Sequence, residues 1–144
     1  MPATIEAAAN ISARNGHSWC LLCGRQNPRS LNLVFRAGED GTVRGQFKGS
    51  PEFQGYDGIL HGGVVASLLD SAMTHCLFHQ GIQAVTGDLH VRFVRSVPCD
   101  VSLTIRSWVL FSHPPLHRLR AELILNEKLM AWAEAKFIQR RIVE

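Results

Sequence analysis

The amino-acid sequence predicts an α+β domain in which an antiparallel sheet of about six strands covers one long helix. Three observations carry that expectation. Between about Leu60 and His79, apolar residues recur at helical spacing: Val64, Val65, Leu68, Leu69, Ala72, Met73, Cys76 and Leu77. After residue 84, four segments alternate apolar and polar residues and are joined by short turn-forming stretches, which is the pattern of antiparallel strands. A shorter alternating pair precedes the helix.

Taken in order, residues 1–16 read as a flexible or loosely docked N-terminal arm, and residues 17–144 as a single domain. Trp19 to Cys23 is an apolar patch expected to pack on the body. Leu31, Leu33 and Phe35 alternate with other residues as a strand would. Glu39-Asp40-Gly41 is a turn, and Val43, Gly45 and Phe47 against Arg44, Gln46 and Lys48 complete a hairpin. A loop from Gly49 to Gly58 leads to the helix, which Gly81 ends as a glycine past the last turn. Val85, Gly87, Leu89, Val91 and Phe93 then alternate with Thr86, Asp88, His90 and Arg92. Val101, Leu103, Ile105 and Val109 form the next strand, and Leu119, Ala121, Leu123 and Leu125 another. The last strand sets Ala131, Ala133, Ala135 and Phe137 on one face, where the small alanines leave room for a helix to lie close. Trp108 and Trp132 read as sheet packing, and His75 and His90 as packed or surface histidines.

Composition excludes several function classes. Among 144 residues, 46% are apolar and 19% charged, which is globular rather than disordered. The net charge is +3 and the basic residues are scattered, so no nucleic-acid stripe exists. That mild excess favours a phosphorylated or carboxylated small ligand. No apolar run reaches the length of a membrane span, and Met1 to Asn15 lacks the basic start and apolar stretch of a signal peptide. The expected location is cytoplasmic, with no membrane partner. Cys20 and Cys23 form Cys-x-x-Cys, while Cys76 and Cys99 stand alone. His17 is nearby but no fourth ligand is evident, so reduced thiols are expected, with no metal and no cofactor.

The chemistry points to Gly58-Ile59-Leu60-His61-Gly62-Gly63, followed by Asp70 two turns into the helix. Gly62 and Gly63 let a ligand approach backbone N–H groups that a Cβ would obstruct. A helix start offers unpaired donors and positive dipole, which stabilise an oxyanion. Asp70 falls at the edge of the apolar arc, where partial desolvation raises a carboxyl pKa. An acid near such donors suits acyl transfer or hydrolysis, as nucleophile or general base.

The element order and these residues resemble the hotdog fold, a curved antiparallel sheet wrapped around a central helix. More narrowly, the chain resembles the phenylacetate-degradation (PaaI-like) branch of hotdog acyl-CoA thioesterases over roughly residues 17–140. The resemblance rests on Cys20-Leu21-Leu22-Cys23-Gly24, Asn27-Pro28, the run from Phe53 to Gly63, Asp70, and Val91-Arg92-Phe93 with Pro98. It implies hydrolysis of an acyl-CoA to free acid and CoA. Asp70 matches the family's catalytic carboxylate, and Gly62 the glycine whose N–H polarises the carbonyl. His61 matches the motif histidine that supports the loop or the carbonyl, and Thr86 the Ser/Thr near the attacking water. Many relatives carry Asn where Gly55 stands, so the adjacent Gln54 is the candidate helper here. The resemblance also implies a homodimer whose sites combine the glycine of one chain with the carboxylate of the other, and dimers that pair again. Phe53, Tyr56, Met73 and Phe78 are candidates to line the acyl pocket. Lys48, Arg92 and Arg95 are candidates for the CoA phosphates. The rival readings are a non-catalytic acyl-CoA binding or sensing module and, fitting less well, a hotdog hydratase or dehydratase.

Overall fold

The computed structural model describes residues 11–140. Its elements are β1 (Phe35–Ala37), β2 (Val43–Lys48), a single 3-10 turn (Pro51–Phe53), the central helix α1 (Gly62–Phe78), β3 (Ala84–Phe93), β4 (Ser102–His113), β5 (Leu116–Leu125) and β6 (Lys128–Gln139). The strands form one antiparallel sheet in the order β1-β2-β4-β5-β6-β3. This is the hotdog architecture expected from the sequence.

The helix and sheet bury one shared core. Val65, Leu68, Leu69, Ala72, Met73, Cys76 and Leu77 of α1 are all buried, as the helical spacing demands. Across from them, Ala121 pairs with Ala133, Leu119 with Ala135 and Leu123 with Ala131, and these strand residues are buried too. Cross-strand partners point to the same face. The alanines therefore form the shallow seat that lets α1 approach the sheet.

Three local expectations change. Leu31 and Leu33 do not start β1, because their N–H groups donate to the carbonyls of Leu21 and Leu22, each at 2.9 Å. The Cys-x-x-Cys segment thus takes the place of a strand partner, and β1 shrinks to three residues. Of the expected arm, residues 1–10 lie outside the described residues, and residues 11–16 are docked rather than flexible. Ile11 and Ser12 are buried, and Asn15 Oδ1 accepts a hydrogen bond from Gln83 Nε2 at 3.2 Å.

The third change concerns β3. It does not pair with β4 but runs along β6 at the far edge of the sheet. Its register slips between Thr86 and Asp88, so Gly87 is an extra residue and a bulge. Thr86 pairs with buried Phe137, whereas Asp88 pairs with exposed Lys136. Simple alternation would put Thr86 and Asp88 on one face. The bulge instead turns Thr86 inward beside α1 and leaves Val85 outward, opposite exposed Ile138.

The alanine seat yields a test. Ala133 is fully buried against α1. Ala133→Leu overfills that contact and should cost about 1–3 kcal/mol in urea denaturation. The same substitution at an outward position such as Lys136 should cost far less.

Candidate functional site

The start of α1 is built around one histidine. His61 is the N-cap, and its Nδ1 accepts the Gly63 N–H at 2.8 Å. Its carbonyl accepts from Val64 and Val65 at 3.0 and 3.1 Å. Because Nδ1 is an acceptor, the proton of the neutral ring sits on Nε2. A Cβ on Gly63 would lie 3.0 Å from Nδ1 and crowd the capping ring. Gly62 differs: a Cβ there would make only ordinary contact with the Phe93 ring, 3.5 Å away. Packing does not demand glycine at Gly62, and among the described residues its N–H has no acceptor. One donor of the first turn is therefore capped and its neighbour is left open at the positive end of the helix.

The preceding loop frames a cleft of about 350 Å³ lined by Gly55, Tyr56, Ile59, Leu60, His61 and Gly62. Gln54 organises this loop, since its Oε1 accepts the Gly58 N–H at 3.0 Å. Phe53 packs on Phe47, with ring centroids 5.5 Å apart, while Tyr56 is largely exposed. Phe93 stands exposed beside Gly62. The sequence reading does not single out Phe93 or Ile59 as site residues, although Phe93 lies on the apolar face of its strand.

Asp70 occupies a second cleft, of about 110 Å³, on the flank of α1 with Ser67, Ser71 and Thr74. Thr86 Oγ1 donates to Asp70 Oδ1 at 2.6 Å. Burial pushes the Asp70 carboxyl above the usual carboxylate range, and the Thr86 hydrogen bond opposes part of that rise. Eight residues separate Gly62 from Asp70, which at 1.5 Å per residue is about 12 Å along the helix.

Some candidates fall elsewhere. Met73 and Phe78 are buried, Met73 in the main core and Phe78 against His75 at 5.1 Å, so neither reaches an open pocket in the single chain. Arg92 pairs with Trp132 in the face of β3 opposite Phe93, away from the helix start. Arg95 follows the strand and is exposed, its N–H donating to Met130 O at 3.0 Å. Lys48 pairs with Asp100 at 3.2 Å. His75 is wedged between the Phe35 and Phe78 rings. The structure also brings His17 to the cysteine pair, with Cys23 Sγ 3.6 Å from His17 Nδ1. Hydrogen bonds from the Cys23 thiol and His17 lower the Cys20 pKa, while Cys20 and burial raise that of Cys23.

Residues 57–112 match the model of the thioesterase superfamily. The chain is similar to that superfamily over these 56 of its 144 residues. Over 70 residues it is 34% identical to acyl-coenzyme A thioesterase THEM4 of Bos taurus, covering 48% of this chain but only 28% of that relative's length. In fold the chain also resembles the PaaI protein of the phenylacetic acid degradation operon of E. coli, with TM-score 0.74, 18% identity, and 93% and 96% of the two chains covered. A Streptococcus mutans UA159 protein solved with acetyl CoA bound superimposes with TM-score 0.70 at 18% identity over 76% of this chain and 89% of its own.

The buried charge of Asp70 has a consequence for stability. Its folded pKa lies above the unfolded value, so folding favours the protonated acid. That contribution is complete below the unfolded pKa and is lost as pH rises through the folded one. An asparagine does not titrate and keeps Oδ1 as acceptor for Thr86. Asp70→Asn should therefore melt higher than wild type at pH 7, and the gap should close at pH 3, measured by thermal denaturation.

Proposed function

We propose that this domain hydrolyses acyl-CoA thioesters to free acid and CoA, with Asp70 as the catalytic carboxylate and the Gly62 N–H as oxyanion donor. The carrying observation is the half-buried carboxyl of Asp70, held by Thr86 and raised in basicity by burial. The likeness to acyl-coenzyme A thioesterase THEM4 and to the acetyl CoA complex supports the substrate class.

In this reading the thioester oxygen points at the open Gly62 N–H, where charge develops as the carbonyl becomes tetrahedral. His61 holds the first turn rigid and presents Nε2–H toward the cleft. The free oxygen of Asp70 attacks the carbonyl to give a mixed anhydride, or removes a proton from an attacking water; the thiolate of CoA leaves in both. Thr86 fixes the rotamer of Asp70 through its other oxygen. Gln54 acts through the loop it braces, and Gly63, Phe53, Tyr56 and Phe93 bound the acyl entry. Exposed Arg95, just past β3, is the cation assigned to the CoA phosphates.

The 12 Å between Gly62 and Asp70 calls for two chains, so the functional unit is a homodimer, with pairs of dimers as a further step. The edge strand β3 is the docking surface. It is ten residues long, its outer backbone edge is unpaired among the described residues, and Val85, Leu89 and Phe93 are exposed along it. Four free cysteines suit a reducing compartment such as the cytoplasm.

A complementation experiment tests catalyst and dimer together. Asp70→Asn should abolish thiol release from a panel of aromatic and aliphatic acyl-CoAs. Gly62→Pro removes the N–H at the first helical position, where proline is tolerated. His61 already has φ −58 and ψ 132, a conformation compatible with a following proline. Its turnover should drop about 10²–10³-fold. In a mixture of the two variants, half of the dimers are mixed and each holds one intact composite site, so about a quarter of wild-type activity should return. Full activity in Asp70→Asn refutes its role, and a mixture without recovery refutes the shared site. In single turnover in ¹⁸O water, label entering Asp70 marks the nucleophilic route.

The Thr86 bond predicts a pH effect. Thr86→Val removes the donor that favours the charged carboxylate, so the Asp70 pKa rises further. The acid limb of the kcat/KM profile should move to higher pH, with the plateau reached later.

A further inference from the structure

We propose that His17, Cys20 and Cys23 form a site for one zinc-type divalent cation, with its fourth coordination position open on the side of the Asp70 cleft. The donor atoms of these three residues all lie within 4.8 Å of one another. In tetrahedral coordination, ligands at about 2.0–2.3 Å from the metal lie roughly 3.4–3.8 Å apart. Cys23 Sγ and His17 Nδ1 are already 3.6 Å apart. Imidazole and thiolate are the donor set zinc prefers.

The backbone is arranged for this before any metal enters. The Leu22 N–H donates to Cys20 Sγ at 3.4 Å, a contact that stabilises a metal-bound thiolate. Gly24 closes the turn by donating to Cys20 O at 2.8 Å. A Cβ on Gly24 would fall 2.5 Å from both Cys20 N and Ser18 O, so no other residue permits this turn. Gln26 N–H donates to Ser18 O, and Leu31 and Leu33 lock the same segment to the body. The His17 ring is oriented by an edge contact with Phe78 at 4.9 Å.

A second observation points to the same place. His75 is 1% exposed and neither ring nitrogen has a hydrogen-bond partner among the described residues. A buried polar group without a partner is costly. His75 lines the cleft together with His17, Cys20 and Asp70. Three protein ligands leave a zinc ion one position for water or a ligand. A water held there supplies the polar partner that His75 lacks. The site uses residues outside the proposed hydrolytic machinery, so it stands or falls independently of that reading.

The test uses the full chain, reduced, stripped by chelator and titrated anaerobically with Co²⁺ and then Zn²⁺. One Co²⁺ per chain should bind with tetrahedral d–d absorption and thiolate-to-cobalt charge transfer, and Zn²⁺ should displace it. Cys20→Ser and Cys23→Ser should each weaken binding by more than about 100-fold, beyond the effect of losing an outer-shell contact. His17→Asn keeps both thiols, and should lose affinity even if a cysteine variant fails to fold by circular dichroism. Cys99→Ser and Asp70→Asn should bind as wild type does. Absence of charge transfer in the wild type, or its survival in both cysteine variants, overturns the site. Loss of binding in Asp70→Asn overturns the open fourth position.

Discussion

The hydrogen bond from Thr86 to Asp70 ties the flank of the central helix to the edge strand of the sheet. A carboxylate half-removed from water is tolerated only where a donor meets it. Thr86 is that donor, and it faces inward only because Gly87 adds a residue to β3. Without the bulge, the hydroxyl would share the outer face with Asp88 and the acid would be buried without it. The bulge, the threonine and the acid are therefore one device. It keeps one carboxyl oxygen occupied and the other free, on an element whose rotation is fixed by a buried apolar face.

The helix start shows a complementary economy of donors. His61 takes the Gly63 N–H and leaves the Gly62 N–H unclaimed. Had the cap been a serine or aspartate reaching both, no donor would remain for a ligand. The imidazole ring also packs against Gly55 and crowds the space where a Cβ on Gly63 would lie. Rigidity at this end of α1 and openness at its first N–H come from the same side chain.

Elements with one buried face were legible in the sequence, because burial writes its period into the residues. The helix, β2, β5 and the alanine face of β6 all follow that rule. Asp70 was legible as a helix-edge acid for the same reason. What escaped had no period to betray it. Gly87 looks like any strand glycine, so the bulge and the inward turn of Thr86 were invisible. Leu31 and Leu33 alternate as a strand does, yet their partners are Leu21 and Leu22 in a loop. Met73 has helical spacing and lies too deep to serve a pocket. His17 precedes its cysteine by the same interval that separates the two cysteines, but only the folded turn brings all three donors together.

For the proposed reaction, geometry along the helix decides how the two half-sites relate. Gly62 and Asp70 sit on one rigid rod, about 12 Å apart by helical rise. No side-chain rotation and no loop movement shortens that distance, because both groups belong to the same hydrogen-bonded element. In the proposed reaction, a carbonyl that meets both takes them from different rods. The edge strand that carries Thr86 beside one half-site carries Phe93 beside the other. Pairing two copies along this strand runs the partner's β3 antiparallel to the first, so the Thr86 end of one strand meets the Phe93 end of its partner. In the proposed dimer the chain holds the two halves of one chemistry at opposite ends of its exposed edge, and a two-fold axis through that edge is the simplest operation that joins them.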